Sequence, residues 1–427
     1  MKKQITCLLI QTVLLLTLSL NAFSQAPATT LVKVIVSPDH NDWNYKVNEE
    51  AKFSVQVLKY GNLLENVTVD YWAGSDIKSA VYKKGVALKD GKLEIKGNLK
   101  TPGFFRVAVS TNMDGKKYDG MATAAFEPEK ILPDVKEPAD FDNFWSNAIA
   151  QARKLNLEPT LTLVPERCTS TVNVYHISFQ NDRPGSKIYG MLAIPKKAGK
   201  YPAIVKLPGG GVYKYGGDAK TAAFGVITLE IGIHGIPVNL EPQVYADLAA
   251  GALSNYFNIR MNDKDQFYFK RVFIGCVKAI DFIYTLPEFN GNDLAITGQS
   301  QGGLLCIATA VLDKRVKYLA VGAPAFCDNG RFMTQSMVVG GKGKIGPDEF
   351  ETLNYYDGVN FAKKLTIPGF YTWGYNDMAV PPATMYATYN IVTAPKELHI
   401  YQDSGHWTIP EQLEVMNTWL AKKLMGL

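Results

Sequence analysis

The residues best suited to chemistry stand in the stretch Gly298-Gln-Ser-Gln-Gly302. It fits the pattern G-x-S-x-G, in which a serine occupies a sharp turn between a buried strand and a helix. Small residues two positions before and after Ser300 allow the strand and the helix to approach closely, which holds that serine in a strained conformation. The apolar segments 294–296 and 304–311 predict this strand and this helix. Ser300 is therefore a candidate nucleophile, and the alternative is a Gly-rich turn with an ordinary serine.

A serine nucleophile needs a base to take its proton. The chain has five histidines, of which one lies in the N-terminal β segment and two lie inside predicted strands. His406 stands in the loop Asp403-Ser-Gly-His406, directly after the last predicted strand and before the last predicted helix. In the chain order Ser…Asp/Glu…His that is the position of the base, so we predict this role for His406; the alternative is a solvent-exposed loop histidine.

A third group must orient the base, and two aspartates are candidates. Asp377 follows the strand that ends at Trp373, in a loop that Pro381 and Pro382 stiffen. Asp403 precedes the histidine by only three residues, which makes a correct approach to the ring difficult. We therefore predict Asp377 as the acid and keep Asp403 as the alternative.

The oxyanion that forms when a serine attacks a carbonyl needs two N–H donors aimed at it. The N–H of Gln301, directly after the nucleophile, is the first candidate. The loop Pro208-Gly-Gly-Gly211 follows a predicted strand and supplies the second, for which we choose Gly210. No G-K-[ST] sequence follows this loop, which excludes a P-loop for phosphate.

The chain has 427 residues, a formal charge of +5 and 47% hydrophobic residues, ordinary values for a globular protein of two domains. No basic cluster stands out, so no nucleic-acid partner is expected. Met1-Lys-Lys3 and the apolar run through Leu20 predict a signal peptide over residues 1–24, and hence export to the periplasm or the medium. No later stretch has the length of a membrane span. The four cysteines beyond the leader lack C-x-x-C spacing, so no metal site is expected.

Two domains are predicted from the order of the segments. Residues 31–126 contain short alternating strands separated by turn signals, which predict an all-β sandwich of the immunoglobulin type. Such a module could bind glycans or control access to the site, but a spacer or assembly surface is the favoured interpretation. Residues 127–139 are a Pro-rich, charged linker. Residues 140–427 alternate strands with helices, which predicts an α/β domain with a mainly parallel sheet; segments 236–266 and 329–357 interrupt it where lids occur.

Residues 131–427 resemble the acetyl xylan esterase/cephalosporin C deacetylase family of carbohydrate esterases. The motifs that carry the resemblance are Asp140-Phe-Asp-Asn-Phe-Trp145, the helix 268–285 with Leu286-Pro-Glu288, Gly298-Gln-Ser-Gln-Gly-Gly303, Asp377 with Pro381-Pro382 and Tyr389-Asn390, and Gly405-His406. Peptidases of the prolyl oligopeptidase type usually carry Tyr where this chain has Gln301. The resemblance implies an α/β-hydrolase fold, a Ser300–His406–Asp377 triad, Gln301 as an oxyanion donor, and a homo-oligomer.

The chain departs from the family pattern at three places. The family's Arg-Gly-Gln appears as His234-Gly-Ile236, and its His-Glu as His406-Trp407. The tyrosine that usually gives the second oxyanion N–H aligns near Gly210. These departures concern the shape of the pocket and the preference for acetyl groups rather than the triad.

The sequence therefore predicts an exported serine carboxylesterase that removes acetyl groups from plant polysaccharides or oligosaccharides and requires no cofactor. Two alternatives remain open at this point. One is an exported serine peptidase of the prolyl oligopeptidase type. The other is a glycan-binding protein whose hydrolase domain has lost activity.

Overall fold

The computed structural model describes residues 31–75, 80–331, 345–406 and 408–426. The predicted signal peptide and Trp407 lie outside the described residues, as does part of the predicted insertion 329–357. Within the described ranges, no helix is both long and apolar enough to cross a membrane.

The secondary structure changes from strands alone to alternating strands and helices along the chain. The strands are β1 Val32–Pro38, β2 Asn44–Tyr45, β3 Ala51–Lys59, β4 Asn62–Leu63, β5 Thr68–Gly74, β6 Val81–Ala87, β7 Lys92–Gly97, β8 Gly103–Met113, β9 Lys116–Phe126, β10 Thr160–Leu163, β11 Val172–Gln180, β12 Lys187–Pro195, β13 Tyr201–Leu207, β14 Ile227–Gly232, β15 Phe289–Gln299, β16 Tyr318–Gly322, β17 Gly369–Trp373 and β18 Lys396–Ile400. The α-helices are α1 Phe141–Arg153, α2 Ala219–Ala222, α3 Pro242–Ala250, α4 Tyr268–Ile283, α5 Gln301–Leu312, α6 Pro347–Asn354, α7 Gly358–Ala362, α8 Pro382–Asn390 and α9 Pro410–Met425.

Residues 31–126, called the β-region below, form two sheets. One contains β1, β3, β4 and β7; the other has the strand order β2-β9-β8-β5-β6. In β3 the burial alternates from Ala51 to Leu58, because successive side chains point to opposite faces of a strand. The inward residues of both sheets form one core, to which Phe53, Val55, Val107 and Val109 contribute.

The remaining strands form a nine-stranded sheet of order β10-β11-β12-β14-β13-β15-β16-β17-β18. The first three neighbouring pairs are antiparallel, and every pair from β14/β13 to β17/β18 is parallel. Parallel neighbours need crossover connections, which the helices between these strands provide. Strand β15, which ends directly before Ser300, lies within the parallel part and has parallel neighbours on both sides.

Helices cover both faces of this sheet. Alternate residues of neighbouring strands, among them Ile204, Ala295 and Phe370, pack against Trp419 and other residues of α9. The residues between them face the larger core, where α4 and α5 lie. Because both faces are buried, the central strands are continuously apolar rather than alternating.

The β-region and the α/β part share apolar contacts. Phe104 of β8 and Ala125 of β9 belong to the same buried cluster as the α/β core. The segment after β9 is also held: Asn390 Nδ2 donates to the carbonyls of Pro128 and Ile131, both at 2.9 Å. The β-region therefore packs directly on the α/β part of the molecule.

Candidate active site

The predicted nucleophile stands on a strained turn. Ser300 lies between the last residue of β15 and the first of α5, with φ 59° and ψ −124°. A non-glycine residue in such a region costs about 1–3 kcal/mol, and neighbouring contacts must enforce it. The Ser300 N–H donates to Gly322 O at 2.9 Å, and its carbonyl accepts from the N–H of Ala325 at 3.1 Å.

The flanking glycines explain how strand and helix come this close. A Cβ placed on Gly302 would lie 2.3 Å from the carbonyl oxygen of Leu207 on the neighbouring strand β13. A Cβ on Gly298 would lie 2.6 Å from the carbonyl oxygen of Gly302. No side chain fits at either position, so the glycines of G-x-S-x-G are required by packing at this turn.

His406 lies within hydrogen-bonding distance of the serine. Its Nε2 is 3.0 Å from Ser300 Oγ, and its Nδ1 is 2.8 Å from Asp377 Oδ2. A carboxylate only accepts, so Nδ1 carries the proton and Nε2 is left to accept from the serine hydroxyl. The backbone around His406 is fixed as well, because Gln299 Nε2 donates to its carbonyl at 2.5 Å.

Asp377 is fully buried in the loop after β17. Its second carboxylate oxygen, Oδ1, accepts from the N–H groups of Ala379 and Val380, both at 2.8 Å. These two bonds fix the carboxylate, so that Oδ2 points at the imidazole. Backbone donors of this kind satisfy a buried carboxylate and restrict its rotation.

The alternative acid has a different contact. Asp403 Oδ1 accepts from Asn376 Nδ2 at 3.2 Å. Burial raises the pKa of the Asp403 carboxyl, with the Asn376 hydrogen bond acting in the opposite direction. The geometry thus favours Asp377 as the partner of the imidazole.

The two predicted oxyanion donors lie on facing segments, at the start of α5 and in the loop after β13. No group in the described ranges accepts a hydrogen bond from the N–H of Gln301 or Gly210. The side chain of Gln301 joins the segments, since its Nε2 donates to the carbonyls of Pro208 and Gly209 at 3.2 Å. The role of the two N–H groups stays a prediction.

Tyr256 is a site residue that the sequence analysis missed. It lies in the segment 236–266, which carried no catalytic motif. Its hydroxyl donates to Gln301 Oε1 at 2.8 Å and accepts from the Gly211 N–H at 3.0 Å. This tyrosine therefore connects the helix N-terminus to the Gly-rich loop through two hydrogen bonds.

His234, one of the departures from the family pattern, supports the same loop. Its Nε2 lies 2.9 Å from Gly211 O and its Nδ1 2.8 Å from Tyr268 Oη. Burial lowers the pKa of His234, so the ring is neutral near pH 7. Since a carbonyl only accepts, Nε2 donates to Gly211 and Nδ1 accepts from Tyr268.

Phe257 occupies the space beside Gly210. A Cβ on Gly210 would lie 3.0 Å from the Phe257 ring, which stacks on Tyr256 with ring centroids 4.0 Å apart. Behind Phe257 lies a small cavity of about 20 Å³, lined also by Leu304 and Phe326. The missing side chain at Gly210 is therefore replaced by an aromatic ring from another segment.

No group of three or more His, Cys, Asp or Glu residues within the described ranges has an arrangement that could hold a metal ion. The four cysteines Cys168, Cys276, Cys306 and Cys327 are free thiols. Burial raises the pKa of the Cys276 thiol to about 12, as expected for a core cysteine.

The chain is similar to known esterases over most of its length. Residues 127–423 match the model of the acetyl xylan esterase family. The chain is 36% identical over 400 residues to the acetyl esterase Axe7A of Xylanibacter ruminicola, which covers 91% of this chain and 90% of that protein. The structure of the acetyl xylan esterase from Paenibacillus sp. R4 superposes with a TM-score of 0.60 at 26% identity, over 69% of this chain and 98% of that one. Acetyl xylan esterase 1 from Thermoanaerobacterium sp. JW/SL YS485 has the same fold, with a TM-score of 0.57 at 20% identity over 69% and 98% of the two chains.

These matches define the class of protein as a carboxylesterase of the α/β-hydrolase type. Within that class, the chain belongs to the acetyl xylan esterase family. The family model begins after the β-region, at residue 127.

Proposed function

We propose that this protein is an exported esterase that removes acetyl groups from plant polysaccharides or oligosaccharides, with Ser300, His406 and Asp377 as its catalytic triad. The observation that carries the proposal is a chain of two hydrogen bonds. Ser300 Oγ lies 3.0 Å from His406 Nε2, and His406 Nδ1 lies 2.8 Å from Asp377 Oδ2. The curated relative of 36% identity is named an acetyl esterase, which supports an acetyl ester as the substrate.

The first half of the reaction forms an acyl-enzyme. Ser300 Oγ attacks the acetyl carbonyl carbon while His406 Nε2 takes the hydroxyl proton. Asp377 stabilises the resulting imidazolium and holds the ring in the required tautomer. The tetrahedral intermediate places its negative oxygen near the N–H groups of Gln301 and Gly210. As the intermediate collapses, the C–O bond to the sugar breaks and His406 returns the proton to the sugar oxygen.

The second half releases acetate. Water enters the place that the sugar alcohol has left, and His406 Nε2 takes one of its protons as the water oxygen attacks the acyl carbon. The second tetrahedral intermediate uses the same two N–H donors. Its collapse breaks the ester bond to Ser300 Oγ, which recovers its proton from His406. Only groups of this chain and water take part, so the proposed mechanism requires no cofactor.

We also propose how the chain is divided into a signal peptide, two domains and a linker. Residues 1–24 act as a signal peptide, which leads to a periplasmic or secreted enzyme and suits a polysaccharide substrate. Residues 31–126 form an immunoglobulin-like sandwich, a proposal supported by the two sheets and their common core. Residues 127–139 link it to the hydrolase domain 140–427, and the family resemblance suggests a homo-oligomer.

The experiment is a substrate panel for the purified protein. It contains acetylated xylo-oligosaccharides, acetylated manno-oligosaccharides and proline-containing peptides, with a Ser300→Ala variant as the control. We expect acetate release from one or more of the sugars and none from the variant. Cleavage of the peptides alone would identify a peptidase. Binding to the sugars without acetate release would identify a glycan-binding protein, and either result would contradict the proposal.

A further inference from the structure

One arginine of the β-region reaches the loop that carries Asp377. Arg106 on β8 donates from Nη2 to two backbone carbonyls, Tyr375 O at 2.9 Å and Asp377 O at 2.8 Å. Its Nε donates to Thr123 Oγ1 on β9 at 2.8 Å, which fixes the plane of the guanidinium. The same side chain therefore spans from the β-region to the backbone of the proposed acid.

A second contact holds the residue between these two carbonyls. Thr123 Oγ1 donates to Asn376 Oδ1 at 2.9 Å, and Asn376 Nδ2 in turn donates to Met121 O at 3.3 Å. Thr123 is fully buried and Asn376 is nearly so. Both polar groups of the Asn376 amide are therefore engaged by β9.

Arg106, Thr123 and Met121 point to the same side of their sheet. Arg106 pairs with Thr123 across β8 and β9, and Met121 is two residues from Thr123 along β9. Side chains two residues apart share a face of a strand. The outer face of the five-stranded sheet thus packs against the loop 375–378.

The loop that carries the proposed base, His406, also contacts Asn376. Asn376 Nδ2 also lies 3.2 Å from Asp403 Oδ1, three residues before His406. Gln402 Nε2 donates to Asp42 O of the β-region at 3.4 Å. The acid loop and the base loop are therefore both in contact with residues 31–126.

The charge of Arg106 strengthens these bonds. Burial lowers the pKa of its guanidinium to about 10, with the Asp377 charge acting in the opposite direction, so the group is protonated at neutral pH. Hydrogen bonds from a charged donor are roughly twice as strong as bonds between neutral groups. Removing the guanidinium would also leave the carbonyls of Tyr375 and Asp377 without this donor.

We propose that Arg106 is a positioning residue for the acid of the triad, so that the β-region completes the active site instead of acting as a spacer. The proposal rests on the proposed function of Ser300, His406 and Asp377. Arg106 lies outside the family match over 127–423, so the contact is an addition that the family model does not contain. The guanidinium holds the backbone from which the Asp377 carboxylate projects, and it acts on the reaction only through that residue.

The test compares variants of the full-length chain. Arg106→Ala removes the contact, Arg106→Lys keeps the charge, and Thr123→Val removes the bond to Asn376 together with the acceptor of Arg106 Nε. Arg153→Ala is the matched arginine control, because Arg153 pairs with Asp281 and Asp313 away from the site. Thr111→Val is the matched threonine control, because Thr111 is buried in the same sheet and donates to Thr68 O at 2.9 Å.

We expect Arg106→Ala to lower kcat for an acetyl ester by roughly 10- to 100-fold, as small displacements of catalytic groups do, with little change in KM. Arg106→Lys should recover part of the loss, and added guanidinium ion should raise kcat for Arg106→Ala but not for Arg153→Ala. Titration of active sites with a serine-directed phosphonate corrects for unfolded protein. If Arg106→Ala does not fold, Thr123→Val against Thr111→Val gives the same comparison.

Two results would overturn the proposal. One is a kcat per active site in Arg106→Ala and Thr123→Val equal to that of their controls. The other is a loss of kcat that guanidinium ion does not reverse and Arg106→Lys does not reduce, since a general loss of packing would act in this way.

The rate of phosphonate labelling of Ser300 separates this inference from the proposed function, because it needs no sugar substrate. If the wild type releases no acetate from any sugar but labelling is slower in Arg106→Ala than in Arg153→Ala, the substrate assignment fails and the positioning role stands. If the wild type releases acetate and the variants match their controls, only the positioning role fails.

Discussion

The backbones of Gly374 and Ser404 are in direct contact: a Cβ placed on Gly374 would lie 1.9 Å from the carbonyl oxygen of Ser404. That carbonyl accepts the N–H of Asn376 at 3.1 Å. Gly374 begins the loop of Asp377, and Ser404 lies two residues before His406. The loops that carry the proposed acid and base are therefore placed against each other by main-chain packing as well as by their side chains.

This contact predicts the effect of one added methyl group. Gly374→Ala should separate the two loops and lower kcat by about 100-fold or more, because the Asp377–His406 geometry depends on their approach. Gly405→Ala is the matched control, since a Cβ there would make an ordinary 3.7 Å contact with Asn376 O. Kinetics with p-nitrophenyl acetate, together with the melting temperature of each variant, measure the effect. Equal activities of the two variants would contradict the prediction.

The contacts of the two aspartates predict different results when each carboxylate becomes an amide. Asp377→Asn should lower kcat by up to about 10⁴-fold, because an amide beside Nδ1 favours the wrong tautomer of His406. Asp403→Asn should have a small effect, because Asp403 contacts Asn376 rather than the imidazole. Steady-state kinetics of both variants decide the ranking. The reverse order would assign the acid role to Asp403.

Tyr256→Phe should lower kcat by about 5- to 10-fold, the usual effect of a lost neutral hydrogen bond. The reason is that its hydroxyl joins Gln301 to the Gly211 backbone and so holds the two sides of the proposed oxyanion site. Tyr245→Phe is the control: this buried tyrosine also makes two hydrogen bonds, to Pro237 O and from Leu240 N, and both stay within its own segment of the chain. Similar kcat values for the two variants would exclude the connecting role.

The ring of Phe257 predicts the acyl preference. Because it fills the space beside Gly210, we expect acetyl esters to be preferred, propionyl esters to be tolerated and octanoyl esters to be poor substrates. In Phe257→Ala the optimum should move to longer acyl chains, because each methylene that an apolar pocket accommodates is worth about 1–3 kcal/mol of transition-state binding. Phe224→Ala, at a ring that is 71% exposed, is the control. Values of kcat/KM on p-nitrophenyl esters of increasing length measure this; a wild-type optimum at butyryl or longer would contradict the deacetylase assignment.

Local patterns were sufficient for part of the fold. The apolar strand and helix on either side of Ser300 follow from residues within eleven positions of it, and the loops of Asp377 and His406 follow from the chain order. Strand β6 has no comparable pattern, because Lys83, Lys84 and Gly85 interrupt the alternation. Strand β9 contains small residues whose burial depends on distant segments: Ala122 and Ala124 lie in the core of the β-region, and Ala125 lies in the core of the α/β part.

The supporting residues of the site could not be predicted in the same way. Arg106 is 271 positions from Asp377, and Tyr256 is 45 positions from Gln301. A basic residue in an alternating strand and a tyrosine in an irregular segment have many ordinary roles. The packing of the β-region on the loop 375–378 distinguishes Arg106 from other basic residues. The hydrogen bonds to Gln301 and from Gly211 distinguish Tyr256 from other tyrosines.

The most direct test of the account is peptide mapping of the protein after reaction with a serine-directed phosphonate, combined with acetate release by the Ser300→Ala variant. The account predicts a single adduct, on Ser300, and a folded variant whose acetate release is lower by several orders of magnitude. An adduct on another serine, or a Ser300→Ala protein that still deacetylates sugars at the wild-type rate, would contradict it.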